Sequence, residues 1–158
     1  MPVLTYLNFD GNCREVLDFY KSVFGGEYMI TQTFGDGPDD MGIAESDKDK
    51  IMHATLVVGD GVIMGSDVPA GFGPPRVQGN NFSLTYPTQS KEETDELFAK
   101  MSEGGTVTMP LAEMFWGAYF GSCTDKFGIN WQFNYYFLVR SFGKWMTICV
   151  IDDCYIVI

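Results

Sequence analysis

One pattern occurs twice in this chain and constrains its fold more than any other feature: an Asn or Ser, a Glu three residues later, an amphipathic run, then a Gly-Gly pair. The first copy is Asn12, Glu15 and Phe24-Gly25-Gly26; the second is Ser90, Glu93, Met101 and Gly104-Gly105, so the copies lie 78 to 79 residues apart. In each, the polar residue and the Glu carry the signature of a capping box, which satisfies the orphan backbone donors of a first helical turn. The glycines suit the left-handed residue that ends a helix. An internally duplicated fold is therefore expected, with one helix between strands in each half. At 158 residues the chain is long enough for one ordinary core or for two fused modules of about 70 residues each.

The segments around the helices read as strands. Leu4 to Phe9 alternates, with Leu7 and Phe9 on one face and Tyr6 and Asn8 on the other. From Cys13 to Phe24, Val16, Tyr20 and Val23, flanked by Cys13, Leu17 and Phe24, form a helical stripe. Glu27 to Phe34 reads as a second strand, and Gly35 to Lys50 as a loop crowded with Gly, Asp and Lys. Ile51 to Val58 and Val62 to Ser66, joined by Gly59-Asp60-Gly61, give the clearest hairpin signal, because Asp-Gly readily takes positive backbone angles. A Gly/Pro-rich connector follows, and the series restarts. Asn81 to Tyr86 is a strand, Ser90 opens a helix whose Leu97, Phe98 and Met101 face inward, and strands are expected at Thr106 to Met109, Gly117 to Cys123 and Ile129 to Phe133. The predicted organisation is a first βαβββ module over 1–68, a linker over 69–79, a second βαβββ module over 80–134 and an apolar extension over 135–158, together one compact domain.

The net charge of −11 and the pI near 4.3 exclude nucleic acid and anionic membrane surfaces as expected partners, since both would be repelled. The Met-Pro-Val-Leu start carries no basic or long apolar stretch, and a cytoplasmic location is expected. The four cysteines lack the paired spacing of a zinc site or a redox motif and are expected to be reduced thiols. Cys149 and Cys154 lie close enough to face each other across a tight hairpin.

Local motifs are sharper than periodicity. Phe9-Asp10-Gly11-Asn12-Cys13, Phe19-Tyr20, Phe24-Gly25-Gly26, Met52-His53-Ala54, Met64-Gly65-Ser66-Asp67, Phe115-Trp116-Gly117 and Thr124-Asp125-Lys126-Phe127-Gly128-Ile129-Asn130-Trp131 closely resemble PhnB-like proteins of the vicinal oxygen chelate superfamily. That superfamily includes glyoxalase I, extradiol dioxygenases and bleomycin-binding resistance proteins. The resemblance spans residues 1 to about 134. It implies an α+β fold of two tandem βαβββ modules whose curled mixed sheet encloses a cleft, with the helices on the outer face and a β-rich C-terminal extension added here. It also implies a homodimer. A shared fold does not fix chemistry. Some relatives have carried a demethylubiquinone methyltransferase label, yet no strand here runs into a glycine-rich turn suited to a nucleotide-like cofactor.

With Leu7 and Phe9 on the helix side, alternation places Tyr6 and Asn8 in the cleft, and likewise Asn81 and Ser83, Asn130, Gln132 and Asn134, and His53 with Thr55. Metal-dependent members of the superfamily hold their ion on the first and last strands of the modules. The best-matching positions here are Asn8, Asn81 or Ser83, and Gln132. A catalytic divalent ion usually takes about three ligands from His, Asp, Glu or thiolate, and neutral amides rarely anchor one without an anionic partner. No metal ligand is therefore assigned.

His53, the one histidine, is the candidate general base or polar binding group; its plainer role is a hydrogen-bonded residue on a half-buried strand. Asp67 is a candidate to orient His53 or bind a substrate hydroxyl, or simply to cap the next turn. Phe115 and Trp116 can stack on a planar or cationic molecule, unless they are core, and Glu113 beside them is a second candidate for proton transfer.

After Asn134 the chain turns markedly apolar, with Phe137-Leu138-Val139, Ile148-Cys149-Val150-Ile151 and Tyr155-Ile156-Val157-Ile158. No stretch approaches the roughly 18 apolar residues of a membrane helix. Extra strands or a hairpin with a turn at Asp152-Asp153 are expected, covered on their own module or at a subunit interface. The leading expectation is a homodimeric protein that binds a small organic molecule through Tyr6, Asn8, His53, Thr55, Asp67, Phe115, Trp116, Gln132 and Asn134, with no cofactor. Two alternatives stand beside it. One is a lyase, isomerase or dioxygenase dependent on Zn, Ni, Mn or Fe, with His53 or Glu113 moving a proton. The other is an assembly scaffold acting through the tail.

Overall fold

The computed structural model describes residues 4–69, 71–72, 76–141 and 144–147, without the side chains of residues 39 and 138–147. The chain divides into two compact units, Met1–Gln78 and Gly79–Ile158.

In the first unit, β1 (Thr5–Phe9), α1 (Cys13–Phe24), β2 (Glu27–Thr33), β3 (Ile51–Val58) and β4 (Gly61–Asp67) build a sheet of order β1-β4-β3-β2. β1 runs parallel to β4, and the other pairs are antiparallel. The helix stripe Cys13, Val16, Leu17, Tyr20 and Val23 is buried together with Leu7, Phe9, Ala54, Leu56, Val58 and Ile63. Contact is close at Gly65, where an added Cβ would lie 3.1 Å from the Cys13 sulfur. Burying a side chain of this size contributes roughly 1.5–3 kcal/mol, so one covered face accounts for most of this unit's cohesion. The hairpin turns tightly, with Val58 opposite Gly61 and Gly59 at φ 54°. The Gly35–Lys50 loop contains short 3-10 turns at Phe34–Asp36, Asp39–Met41 and Glu45–Asp47, and backbone bonds from Phe34 to Lys50 and from Gly35 to Lys48 join its ends.

The second unit repeats the plan with β5 (Leu84–Pro87), α2 (Lys91–Ser102), β6 (Thr106–Glu113), β7 (Ala118–Thr124) and β8 (Asn130–Tyr136), in the order β5-β8-β7-β6 with β5 parallel to β8. Thr94, Leu97, Phe98 and Met101 of α2 are buried, and Phe98 meets Phe133 edge-on at 5.9 Å. β5 begins three residues later than the alternation suggests. Its ladder with β8 begins at Leu84 opposite Trp131, so Asn81 and Ser83 lie ahead of the pairing among the described residues. β6 extends to Glu113 across two register shifts and carries Pro110, which an edge strand tolerates. β9 (Leu138–Ser141) and β10 (Lys144–Thr147) pair antiparallel in the C-terminal extension. The expected Asp152-Asp153 turn and the Cys149–Cys154 approach lie outside the described residues.

The two Gly-Gly pairs share one physical cause. Gly25 and Gly104 take φ values of 76° and 73° after the helices, and a Cβ on Gly26 or Gly105 would run into the carbonyl oxygen of Val57 or Thr124. The two helix starts differ. Ser90 Oγ accepts from Glu93 N at 3.1 Å while the Glu93 carboxylate accepts from Gln89 N, so the second copy caps itself. Asn12 makes no side-chain cap bond; instead Asp67, from the end of β4, accepts from Gly11 N and Cys13 N, both at 2.9 Å. Among the described residues no helix is long and apolar enough to cross a membrane.

Candidate functional site

Because a helix covers one face of each sheet, the residues of opposite parity define the faces available to a ligand. On the first sheet these are Tyr6 and Asn8 on β1, Met64 and Ser66 on β4, and His53 and Thr55 on β3, with Tyr6 opposite Met64 and Met64 opposite Thr55. His53 is the centre of the group. Its Nδ1 lies 3.2 Å from the Tyr6 hydroxyl, its Nε2 lies 3.1 Å from Thr55 Oγ1, and the Tyr6 and His53 rings stack at 5.7 Å with 24° between planes. A neutral imidazole has one N–H and one lone pair, so one hydroxyl donates to it and the other accepts, the choice depending on the tautomer. Tyr6 is 44% exposed, His53 half-buried and Thr55 buried. Beside them Ser66 Oγ donates to Asn8 Oδ1 at 3.4 Å.

Asp67 does not join this group. It points to the helix side, 4% exposed, and its three bonds go to backbone N–H groups, the third from Ile51 N to Oδ2 at 2.8 Å. The carboxylate that sequence reasoning offered to His53 or to a substrate is committed to fastening α1 and β3 to the end of β4.

On the second sheet, Thr85, Asn130, Gln132 and Asn134 share the face opposite α2, and Ser122 and Phe120 stand across from Gln132 and Asn134. Thr85 Oγ1 donates to Gln132 Oε1 at 3.2 Å and Thr124 Oγ1 to Asn130 Oδ1 at 2.8 Å. Asn134 is 8% exposed, and its Oδ1 is buried with no hydrogen-bond partner among the described residues. Trp116 packs edge-on against Phe120 at 6.0 Å and against Phe115 at 4.9 Å, in a turn closed by Gly117 N to Met114 O. Phe115 is 98% exposed and Trp116 41%, so neither is core.

Glu113 lies elsewhere. It pairs in register with Tyr119, not with the Phe120 face, and takes Lys91 Nζ from α2 at 2.6 Å. That bond raises the Lys91 ammonium pKa above its ordinary value. Lys91 also sits 4.8 Å over the Tyr119 ring, and Tyr119 donates to Asp95. Asn81 and Ser83, ahead of β5, are exposed. Phe120 and Ser122 were absent from the expected set, although alternation along Gly117 to Cys123 was the signal that places them.

The donors at the superfamily's metal positions do not fit a catalytic divalent ion. They are amides and hydroxyls, and the oxygens of Asn8 and Gln132 already accept from Ser66 and Thr85. Among the described residues no three His, Cys, Asp or Glu side chains gather in a way that could hold one.

Comparison with known proteins places this geometry. The sequence pattern of the 3-demethylubiquinone-9 3-methyltransferase family matches residues 2–134. Protein YjdN of Escherichia coli K12 is 30% identical over 144 residues, 85% of this chain and 95% of that protein. The crystal structure of PA1353 from Pseudomonas aeruginosa is 40% identical with a TM-score of 0.77, covering 86% of this chain and 98% of that one. The PhnB protein from Bacillus cereus is 25% identical with a TM-score of 0.68, over 85% and 99% of the two chains. A glyoxalase/bleomycin resistance protein/dioxygenase family enzyme from Burkholderia phytofirmans, at 19% identity and a TM-score of 0.58 over 86% and 100%, shares the fold. With this sequence pattern and two βαβββ units of this topology, the chain belongs to the PhnB-like, 3-demethylubiquinone-9 3-methyltransferase-like family of the glyoxalase/bleomycin resistance/dioxygenase fold.

Proposed function

We propose that this protein binds a small, neutral organic molecule on the sheet faces opposite its helices, without a catalytic metal. The observation that carries the reading is the Tyr6–His53–Thr55 group: two hydroxyls hydrogen-bonded to the two nitrogens of one imidazole on a partly accessible sheet face, with no carboxylate joined to His53 among the described residues. Such a group offers donors and acceptors to a ligand without burying a charge, which suits uncharged polar molecules. Asn8 extends that surface; Gln132, Asn134 and the Phe115–Trp116 pair offer the second sheet's amides and aromatic rings. The chain's strong negative charge disfavours anionic ligands and nucleic acid. The protein acts as a homodimer in this reading, as the family resemblance implies, and light scattering on purified protein measures that directly.

The test is a thermal-shift screen of untagged, chelator-treated protein against neutral planar small molecules, repeated on His53→Ala. A ligand that binds only the folded state at 100 times its Kd stabilises by about 2.7 kcal/mol. A saturable rise in melting temperature, insensitive to chelator and reduced in His53→Ala, is expected. A rise that appears only after Zn, Ni, Mn or Fe(II) is restored would replace the binding protein with a metal-dependent enzyme.

A further inference from the structure

Asn134 is an anomaly that the fold does not explain. Nine-tenths of it is buried, yet its amide oxygen has no donor among the described residues, and buried acceptors are rarely left so. Two residues earlier on the same face, Gln132 has the complementary condition. Its Oε1 accepts from Thr85 Oγ1, so its amide N–H groups are the part left to point elsewhere. Alongside, Phe120 stands opposite Asn134 across the strand pair and is half-buried, with Trp116 packed on its edge.

We propose that Gln132 and Asn134 form a donor–acceptor recognition pair for a planar lactam or heteroaromatic amide. The ligand's N–H donates to Asn134 Oδ1, its carbonyl accepts from the Gln132 amide, and its ring packs against Phe120 and Trp116. The inference rests on the small-molecule reading above and specifies the ligand chemistry on the second sheet. A neutral ligand fits because both recognition groups are uncharged amides, and planarity fits because the neighbouring surface is aromatic. A rotamer change at half-buried Phe120, of the kind side chains commonly make on binding, opens the acceptor. In this view the unpaired oxygen is a stability cost kept for binding.

The probe is 2-quinolone, a flat bicyclic lactam, with N-methyl-2-quinolone as the analogue lacking the N–H. Binding is followed on the full-length protein by backbone and side-chain amide NMR shifts. The expected result is saturable binding of 2-quinolone that moves the Gln132 and Asn134 amide signals, with the N-methyl compound weaker by about ten-fold or more. Asn134→Leu is expected to abolish that discrimination while keeping or raising the melting temperature, since it removes an unsatisfied buried polar atom. Gln132→Glu, at a half-buried position, is expected to lose 2-quinolone binding because a carboxylate repels the lactam carbonyl. The wild-type comparison needs no variant to fold. Equal affinity for the two compounds, no binding of 2-quinolone, or discrimination that survives in Asn134→Leu would overturn the proposal. Shifts confined to Tyr6, His53 and Thr55 would also overturn it while leaving small-molecule binding on the first sheet intact.

Discussion

Asp67 and Asn134 show how differently two buried polar side chains are used. The three hydrogen bonds of Asp67 all hold backbone, joining segments 16 to 56 residues away in sequence to the end of β4. Asp67→Ala leaves three backbone donors short of a partner, two of those bonds being buried, and is expected to cost about 2–4 kcal/mol in urea unfolding. His53→Ala, which removes no such clamp, is expected to change stability by less than about 1 kcal/mol. The thiols give a pH test. Burial first, and Asp67 and Asp125 second, push Cys13 up to about 12 and Cys123 up to about 11. An unfolded thiol ionises near about pH 8.5. Below that pH both states are protonated and the thiols leave stability unchanged. Above it the unfolded chain loses its protons first, so stability falls until the folded thiols ionise as well. Urea titrations should therefore show a loss of up to about 2 kcal/mol per thiol between pH 8 and pH 10, and iodoacetamide should label Cys13 and Cys123 only in denaturant. Face parity at Tyr6, Asn8, His53 and Gln132 was legible in the sequence because a strand alternates strictly. The role of Asp67 was not, because its partners are backbone groups brought close only by the pairing of β4 with β1 and β3.

At the scale of elements, the duplicated pattern announces both helices, and the Gly-Gly pairs have the same cause in each copy. The shared capping signature, however, covers two different solutions. Ser90 caps its own helix, so Ser90→Ala is expected to cost about 1 kcal/mol. Asn12 makes no such bond, and Asn12→Ala is expected to stay within about 0.5 kcal/mol; equal losses at the two positions would contradict the distinction. A further contrast comes from the glycines. Gly26→Ala and Gly105→Ala each drive a Cβ into a strand carbonyl, so both should unfold at markedly lower temperature than Gly61→Ala, whose nearest neighbour lies 3.6 Å away. The later start of β5 was hidden for a similar reason: Asn81 to Tyr86 alternates well, but a strand needs a ladder, and the pairing with β8 begins only at Leu84 opposite Trp131. Propensity marks where a strand can form, and the partner decides where it begins.

For the whole molecule, tandem repetition at a fixed offset and family-specific motifs were enough to reach the fold, because each βαβββ unit needs only one helix stripe and one covered sheet face. Chemistry was less legible. Asp67 and Glu113, chosen as acidic residues near aromatic or histidine motifs, lie on the helix side of their sheets, while Phe120, with no special sequence signature, stands beside Asn134. The excess of 11 negative charges implies self-repulsion, so the melting temperature is expected to rise as salt is raised from about 10 mM to about 150 mM, where the Debye length shortens from about 30 Å to about 8 Å. The central claim, that the sheet faces opposite the helices bind a neutral small molecule without metal, is tested most directly by mapping NMR amide shifts of chelator-treated protein titrated with a set of neutral planar compounds. Saturable shifts concentrated on β1, β3 and β4 around Tyr6, His53 and Thr55, or on β8 around Gln132 and Asn134, are predicted. Shifts only on the helix-covered faces, or none until a divalent ion is added, would contradict it.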